Sequence, residues 1–201
     1  MPTAMKLVIL DRDGTINEAG ADLVETPEDW RPLPGALEAI ARLNHAGWHV
    51  AVASNQPGLG RGLIEIASLN AIQARMHRQL AAVGARVDAI FYCPHAPDEG
   101  CHCRKPKAGL FEQIGERFGV ELHGTPAVGD SLEDMLAAAA VGCEPHLVLT
   151  GKGAALRGQP LGGNYPAHTM VHEDLAAFAE FLIARPRVAR TPRPDHGGAA
   201  P

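Results

Sequence analysis

Short apolar runs and longer amphipathic stretches alternate along most of the chain. Residues 7–10 (LVIL) are apolar without a break, the pattern of a strand buried on both faces, and the run stops at Asp11, Arg12, Asp13 and Gly14. The interval 16–34 has little periodicity and several turn formers, and is read as an irregular loop over the sheet edge. Pro34 and Gly35 then open a helix with Leu37, Ile40 and Leu43 at helical spacing, closed at Ala46 and Gly47. A second strand is expected at 48–53, ending at Ser54, Asn55 and Gln56. A glycine-rich turn at 57–62 leads into a long helix whose apolar stripe is Ile66, Leu69, Ile72, Met76, Leu80 and Val83, with Gly84 ending it. Strands follow at 87–92, 125–128 and 146–149, separated by a helix carrying Leu110, Phe111, Ile114 and Phe118 and by another that runs to Gly142. Past Gly151 the pattern weakens to a short strand at 168–171 and a helix at 174–184.

This alternation predicts an α/β fold, a doubly wound parallel sheet with right-handed crossovers and helices on both faces. The expected domain covers 1–184, and 185–201, rich in proline, arginine and glycine, is expected to be a disordered tail. Too few residues lie between the apolar elements for a large cap domain, so loops are left to close over a substrate.

The polar residues fall at one kind of place. Asp11 and Asp13, Ser54, Lys105 and Asp130 each follow one of the first four strands, and a parallel sheet gathers such residues at its carboxyl edge, where open α/β sheets bind ligands. Clustered carboxylates suit Mg²⁺, a hard cation that acts beside phosphates. A hydroxyl and a fixed cation suit a phosphoryl group whose charge spreads over its oxygens. Each piece alone has a plainer reading. Asp-x-Asp-Gly also occurs in turns, Ser54 and Asn55 can cap a turn, and a lone lysine is commonly solvated. Ile16 stands where a calcium-binding EF-hand loop requires glycine. Leu63 breaks the dinucleotide glycine spacing after Gly58, Gly60 and Gly62, and no P-loop motif occurs.

Composition narrows the setting. With 46% hydrophobic and 20% charged residues and a net charge of −5, the chain reads as an ordinary soluble one without a nucleic-acid or membrane partner. Nothing at its start resembles a secretory signal, so the cytoplasm is expected; a monomer is the separate expectation for its assembly. Of four cysteines, Cys93, Cys101 and Cys103 crowd into one loop with His95 and His102, which favours a metal over disulfides. Zinc takes four tetrahedral ligands, and Cys93, His95, Cys101 and Cys103 form such a structural set. His102, between two chelating cysteines, is expected to point away. The plainer alternative is two unrelated cysteine pairs in a reduced loop. Cys143 stands apart as a small buried hydrophobe.

Taken together, LDRDGT, Ser54 after an apolar strand, Lys105 and GDSLED resemble the four motifs of the haloacid dehalogenase superfamily of phosphatases, over residues 5–184. The resemblance implies a HAD-like Rossmannoid fold and a phosphoric monoester hydrolase. It implies Asp11 as nucleophile, Asp13 as acid and base, and Ser54 and Lys105 against the phosphoryl group. It also implies Mg²⁺ on Asp11, Asp130 and the Asp13 carbonyl, with Asp134 orienting the site. YCPH followed by CHCRKP resembles the zinc-loop subgroup, whose members act on heptose bisphosphates and on histidinol phosphate. SNQPGLGRG leans toward the sugar bisphosphate, so a small phosphorylated sugar is the expected substrate, with histidinol phosphate as alternative. Asn55, Gln56, Arg61 and Arg104 are the candidate substrate contacts, the two arginines for a second phosphate. Two departures stand out: Ser131 occupies a position where many members carry lysine, and the loop 18–22 matches poorly. A remoter alternative is a non-catalytic zinc module that offers Arg104, Lys105 and Lys107 to a partner.

Overall fold

The computed structural model describes residues 5–19 and 24–185. Six strands form one wholly parallel sheet: β1 (Leu7–Leu10), β2 (His49–Asn55), β3 (Ala89–Cys93), β4 (Pro126–Gly129), β5 (Glu144–Val148) and β6 (Met170–His172). Their order across the sheet is β3-β2-β1-β4-β5-β6. The chain therefore builds outward from β1 to one side, then returns and builds outward to the other. β1 lies between β2 and β4, with Leu10 registered against Val52 and Val128.

Each central strand is apolar on both sides because both sides are covered. Val8, Leu10, Val50 and Val52 face one core, packed by α1 (Ala36–His45), α3 (Ile66–Ala82) and α6 (Leu175–Ala184) through Ile40, Met76 and Phe178. Leu7, Ile9, Ala51 and Ala53, the alternate residues of the same strands, face a second core under α4 (Gly109–Phe118) and α5 (Leu132–Ala140). Cys143 is buried in this second core. Among the described residues no helix is long and apolar enough to cross a membrane.

Several boundaries differ from the sequence expectation. Ile66 and Val83 are exposed, because they sit at the two ends of α3 where the helix overhangs the core; the buried stripe is Leu69, Ile72, Met76 and Leu80. Residues Pro57–Gly60 form a single helical turn, α2. The last strand begins two residues later than expected, since His168 has φ 70 and cannot be extended. The loop before α1 is more ordered than its pattern suggested. A 3-10 turn at Pro27–Asp29 begins at Thr26, whose amide and hydroxyl donate to Asp29, and the turn carries Trp30 into the core with no exposed surface. The expected tail, from 186 onward, and residues 20–22 of the poorly matching loop lie outside the described residues.

Candidate active site

The carboxyl edge of the sheet collects the charged groups. Asp11 directly follows β1, Ser54 and Asn55 end β2, Lys105 follows the cysteine loop after β3, and Asp130 follows β4. The Lys105 ammonium donates to Asp11 Oδ1 at 2.7 Å and to the Ala53 carbonyl at 2.7 Å, and pairs with Asp134 Oδ1 at 2.5 Å. Its aliphatic stem is buried, so it is a fixed charge and not the solvated lysine of the plainer reading. Burial alone would lower its pKa, but Asp11 and Asp134 outweigh this and hold it above the ordinary value.

Oxygens of Asp11, Asp130 and Asp134 all lie within 4.8 Å of one another. Three carboxylates thus face one ammonium, and negative charge is in excess. Burial, reinforced by Asp134, Asp130 and Asp13 and opposed by Lys105, pushes the Asp11 pKa well above the usual carboxylate range. Burial and Asp134 likewise push Asp130 up to about 6, against the pull of Lys152. A divalent cation bound by oxygen ligands relieves this repulsion, so the donor set fits Mg²⁺.

Asp13 has a different environment. Burial would raise its pKa, yet the Arg12 guanidinium and hydrogen bonds from Asn17 and Gln56 lower it. Arg12 donates to both carboxylate oxygens, at 2.9 and 2.8 Å, and is itself 2% exposed. Asn17 donates to Oδ1 at 2.9 Å and Gln56 to Oδ2 at 2.8 Å. Two acids one residue apart therefore differ in protonation tendency, because one faces other acids and the other faces donors.

The remaining expected residues divide. Asp134 lies in the first turn of α5: its Oδ2 accepts from the Ser131 amide at 3.1 Å and from the Ser131 hydroxyl, while Oδ1 holds Lys105. Ser131, in the position where many members of the resembled superfamily carry lysine, is the helix cap. Asn55 exchanges two hydrogen bonds of 3.1 Å with the Lys105 backbone, and Gln56 is buried among Arg12, Asp13 and Ser54. Both amides, expected as substrate contacts, also bond protein groups. Arg104 has a buried Nη1 without a hydrogen-bond partner, a donor available to an anion, and Arg61 is exposed.

Three contributors escaped the sequence reading. Arg12 and Asn17 secure Asp13. The segment after β5 secures Asp130: the Lys152 amide donates to Asp130 Oδ2 at 2.7 Å, and the Thr150 hydroxyl donates to the Gly14 carbonyl at 2.6 Å. A Cβ on Gly14 or Gly151 would strike the Asp130 carboxylate, and both have positive φ, 88 and 50. The signal was present, since Thr150 to Gly153 is a polar, glycine-rich stretch at a strand's carboxyl end like the other four.

The cysteine loop forms a second cluster. Cys93 Sγ lies 3.5 Å from His95 Nδ1 and 3.6 Å from Cys101 Sγ; Cys103 Sγ lies 3.3 Å from the same nitrogen and 3.7 Å from Cys101. Ligands about 2.3 Å from a tetrahedral zinc sit roughly 3.8 Å apart, so this spacing fits the ion. His102 points away and pairs with Glu112 at 2.7 Å. The Lys107 ammonium donates to the Gly100 and Cys101 carbonyls, tying the loop to the residues after Lys105.

Comparison with known proteins adds to the geometry. The profile of the family described as "Polynucleotide kinase 3 phosphatase" matches residues 6–131, and that described as "HAD-hyrolase-like" matches 102–178. The chain is 55% identical over 179 residues to D-glycero-beta-D-manno-heptose-1,7-bisphosphate 7-phosphatase of Bordetella bronchiseptica, covering 89% of this chain and 98% of that one. It is 51% identical to the protein of the same name from Pseudomonas aeruginosa, covering 88% and 97%. The crystal structure of the D,D-heptose 1,7-bisphosphate phosphatase of B. bronchiseptica, complexed with magnesium and phosphate, superposes with a TM-score of 0.85 over 89% of this chain and 98% of that one, at 55% identity. With that identity over nearly the whole of its relatives, the chain belongs to the HAD-like phosphatases, in the family of the D-glycero-beta-D-manno-heptose-1,7-bisphosphate 7-phosphatases.

Proposed function

We propose that the protein is a Mg²⁺-dependent phosphoric monoester hydrolase that removes the 7-phosphate of D-glycero-D-manno-heptose 1,7-bisphosphate. The observation that carries this function is the buried Asp11 carboxylate, held at 2.7 Å by Lys105 with Asp130 beside it, at the edge of the sheet where ligands bind. Relatives of matching length carry that activity in their names, and the B. bronchiseptica protein binds magnesium and phosphate.

Asp11, Asp130 and the Asp13 carbonyl would hold Mg²⁺, which supplies positive charge to the phosphoryl oxygens. Asp11 attacks phosphorus, forming an aspartyl-phosphate as the bond to the sugar oxygen breaks, and Asp13 gives its proton to the departing alkoxide. Asp13 then takes a proton from water, which attacks the same phosphorus, frees inorganic phosphate and restores Asp11. The donors that lower the Asp13 pKa favour its ionised form, the form that takes the proton from water in the second step. Lys105 and Ser54 steady the transferred group, and Asp134 aligns Lys105. Arg104, with its unpartnered Nη1, and exposed Arg61 are the groups for the 1-phosphate. Zinc on Cys93, His95, Cys101 and Cys103 would be structural, because four protein ligands leave no open position, and it would stiffen the loop that presents Arg104 and Lys105. The enzyme works in the cytoplasm on this small substrate, without nucleic acid or membrane.

Phosphate release from both anomers of the heptose bisphosphate, run beside histidinol phosphate, tests this. Wild type is expected to favour a heptose bisphosphate in kcat/KM, and Asp11→Asn to abolish release while keeping its fold. A clear preference for histidinol phosphate, or an active Asp11→Asn, overturns the assignment.

A further inference from the structure

Gln56 stands one residue past β2, 5% exposed, with both amide protons donated and its carbonyl oxygen bonded. Its Nε2 donates to Asp13 Oδ2 at 2.8 Å and to Ser54 Oγ at 2.7 Å, and its Oε1 accepts from Arg12 Nη2 at 3.2 Å. An amide nitrogen has two protons and no lone pair, so the Ser54 oxygen must accept in this contact. The Ser54 hydroxyl then has its own proton left, and no described residue accepts it. Turning the amide over would set its oxygen against the Asp13 carboxylate and its nitrogen against the guanidinium, both repulsive. Arg12, buried and bonded to Asp13 through Nε at 3.0 Å as well as Nη2, therefore fixes which way the amide faces.

We infer that Gln56, held by Arg12, is a positioning residue that commits the Ser54 hydroxyl to donating into the phosphoryl site while it pins the Asp13 carboxylate. Without the amide, Ser54 can turn its proton inward to Asp13, and the site loses a donor although serine is still present. This role rests on the phosphatase function proposed above, which wild-type phosphate release tests separately.

The test is a double-mutant cycle on the Mg²⁺-loaded enzyme, read as the inhibition constant of inorganic phosphate and as kcat, with melting temperature as a check on the fold. Ser54→Ala and Gln56→Met are each expected to weaken phosphate inhibition about tenfold. The double variant is expected to be no weaker than Ser54→Ala alone, because a misdirected hydroxyl and a missing one are equivalent. Effects that multiply to about a hundredfold, or a Gln56→Met enzyme that binds phosphate like wild type, overturn the role. Should Gln56→Met fail to fold, Arg12→Lys, which retains a cation but releases the amide, replaces it in the same cycle with the same expected non-additivity.

Discussion

Two sets of metal-type ligands lie at the same edge of the sheet, and they differ in how completely the protein satisfies them. In the cysteine loop, three thiols and one imidazole face one another at 3.3–3.7 Å, a closed set with tetrahedral spacing. In the carboxylate centre, three acids face one ammonium, and the burial that raises Asp11 and Asp130 leaves their repulsion unrelieved. A closed set spends its ligands on holding chain; an open one keeps room for a substrate. The two are joined in sequence, since the loop ends at Cys103 and the ammonium belongs to Lys105.

The largest effect comes from removing that ammonium. Lys105→Met leaves Asp11 and Asp134 facing each other without a cation, and is expected to lower kcat about 10³-fold and stability by about 3–5 kcal/mol. A phosphate-release assay and a urea titration measure both, and near-normal turnover would break the account of the open centre. The closed set is expected to act through order. Chelation or Cys101→Ser should lower the melting temperature by about 10 °C and activity about tenfold. Full activity in protein stripped of zinc would remove the structural role.

A finer probe is Gly151→Ala, whose methyl would meet the Asp130 carboxylate. The half-saturating Mg²⁺ concentration is expected to rise about tenfold, with kcat at saturation little altered. A Mn²⁺-binding titration followed by paramagnetic resonance gives the same answer without turnover. Unchanged affinity in a folded variant would separate Asp130 from the segment after β5.

The effect smallest at neutral pH contrasts both sets with a buried polar cluster that carries no charge. His146, fully buried on β5, lies 2.9 Å from His172 and against Phe178. Burial, with some help from His172 and Arg185, pushes its pKa down to about 3, and burial lowers His172 as well. A histidine depressed in the folded state is fully stabilising above its unfolded pKa of 6.5, and that stability is lost as pH falls toward 3. Denaturant titrations below pH 6.5 are expected to lose about 1.4 kcal/mol per pH unit to His146 alone. His146→Phe should flatten that slope; an unchanged slope would exclude His146 as its source, since the raised Asp11 and Asp130 act in the opposite direction as pH falls.

How far the site could be read in advance depended on the kind of interaction. Asp11, Ser54, Lys105 and Asp130 announce themselves by following apolar runs, and Cys93, His95, Cys101 and Cys103 by their crowding. Asn55 and Gln56 were located with equal ease, but their bonds with Lys105, Asp13 and Ser54 leave no mark in the spacing. Thr150 and Lys152 were passed over because the periodicity fades there, although they also follow a strand. Ile66 and Val83 fit the stripe of α3 by spacing alone, which says nothing of where the core stops.

The sequence by itself determined the layered fold and the edge at which the chemistry gathers, because burial on both faces writes unbroken apolar runs and a parallel sheet brings their ends together. Only the tertiary structure decided which polar group answers which. Gln56 reaches back to Asp13 and Arg12 across 43 and 44 residues, and Lys152 reaches Asp130 across 22. Partnership in a buried network depends on distance, orientation and the count of donors and lone pairs, none of which has a period along the chain.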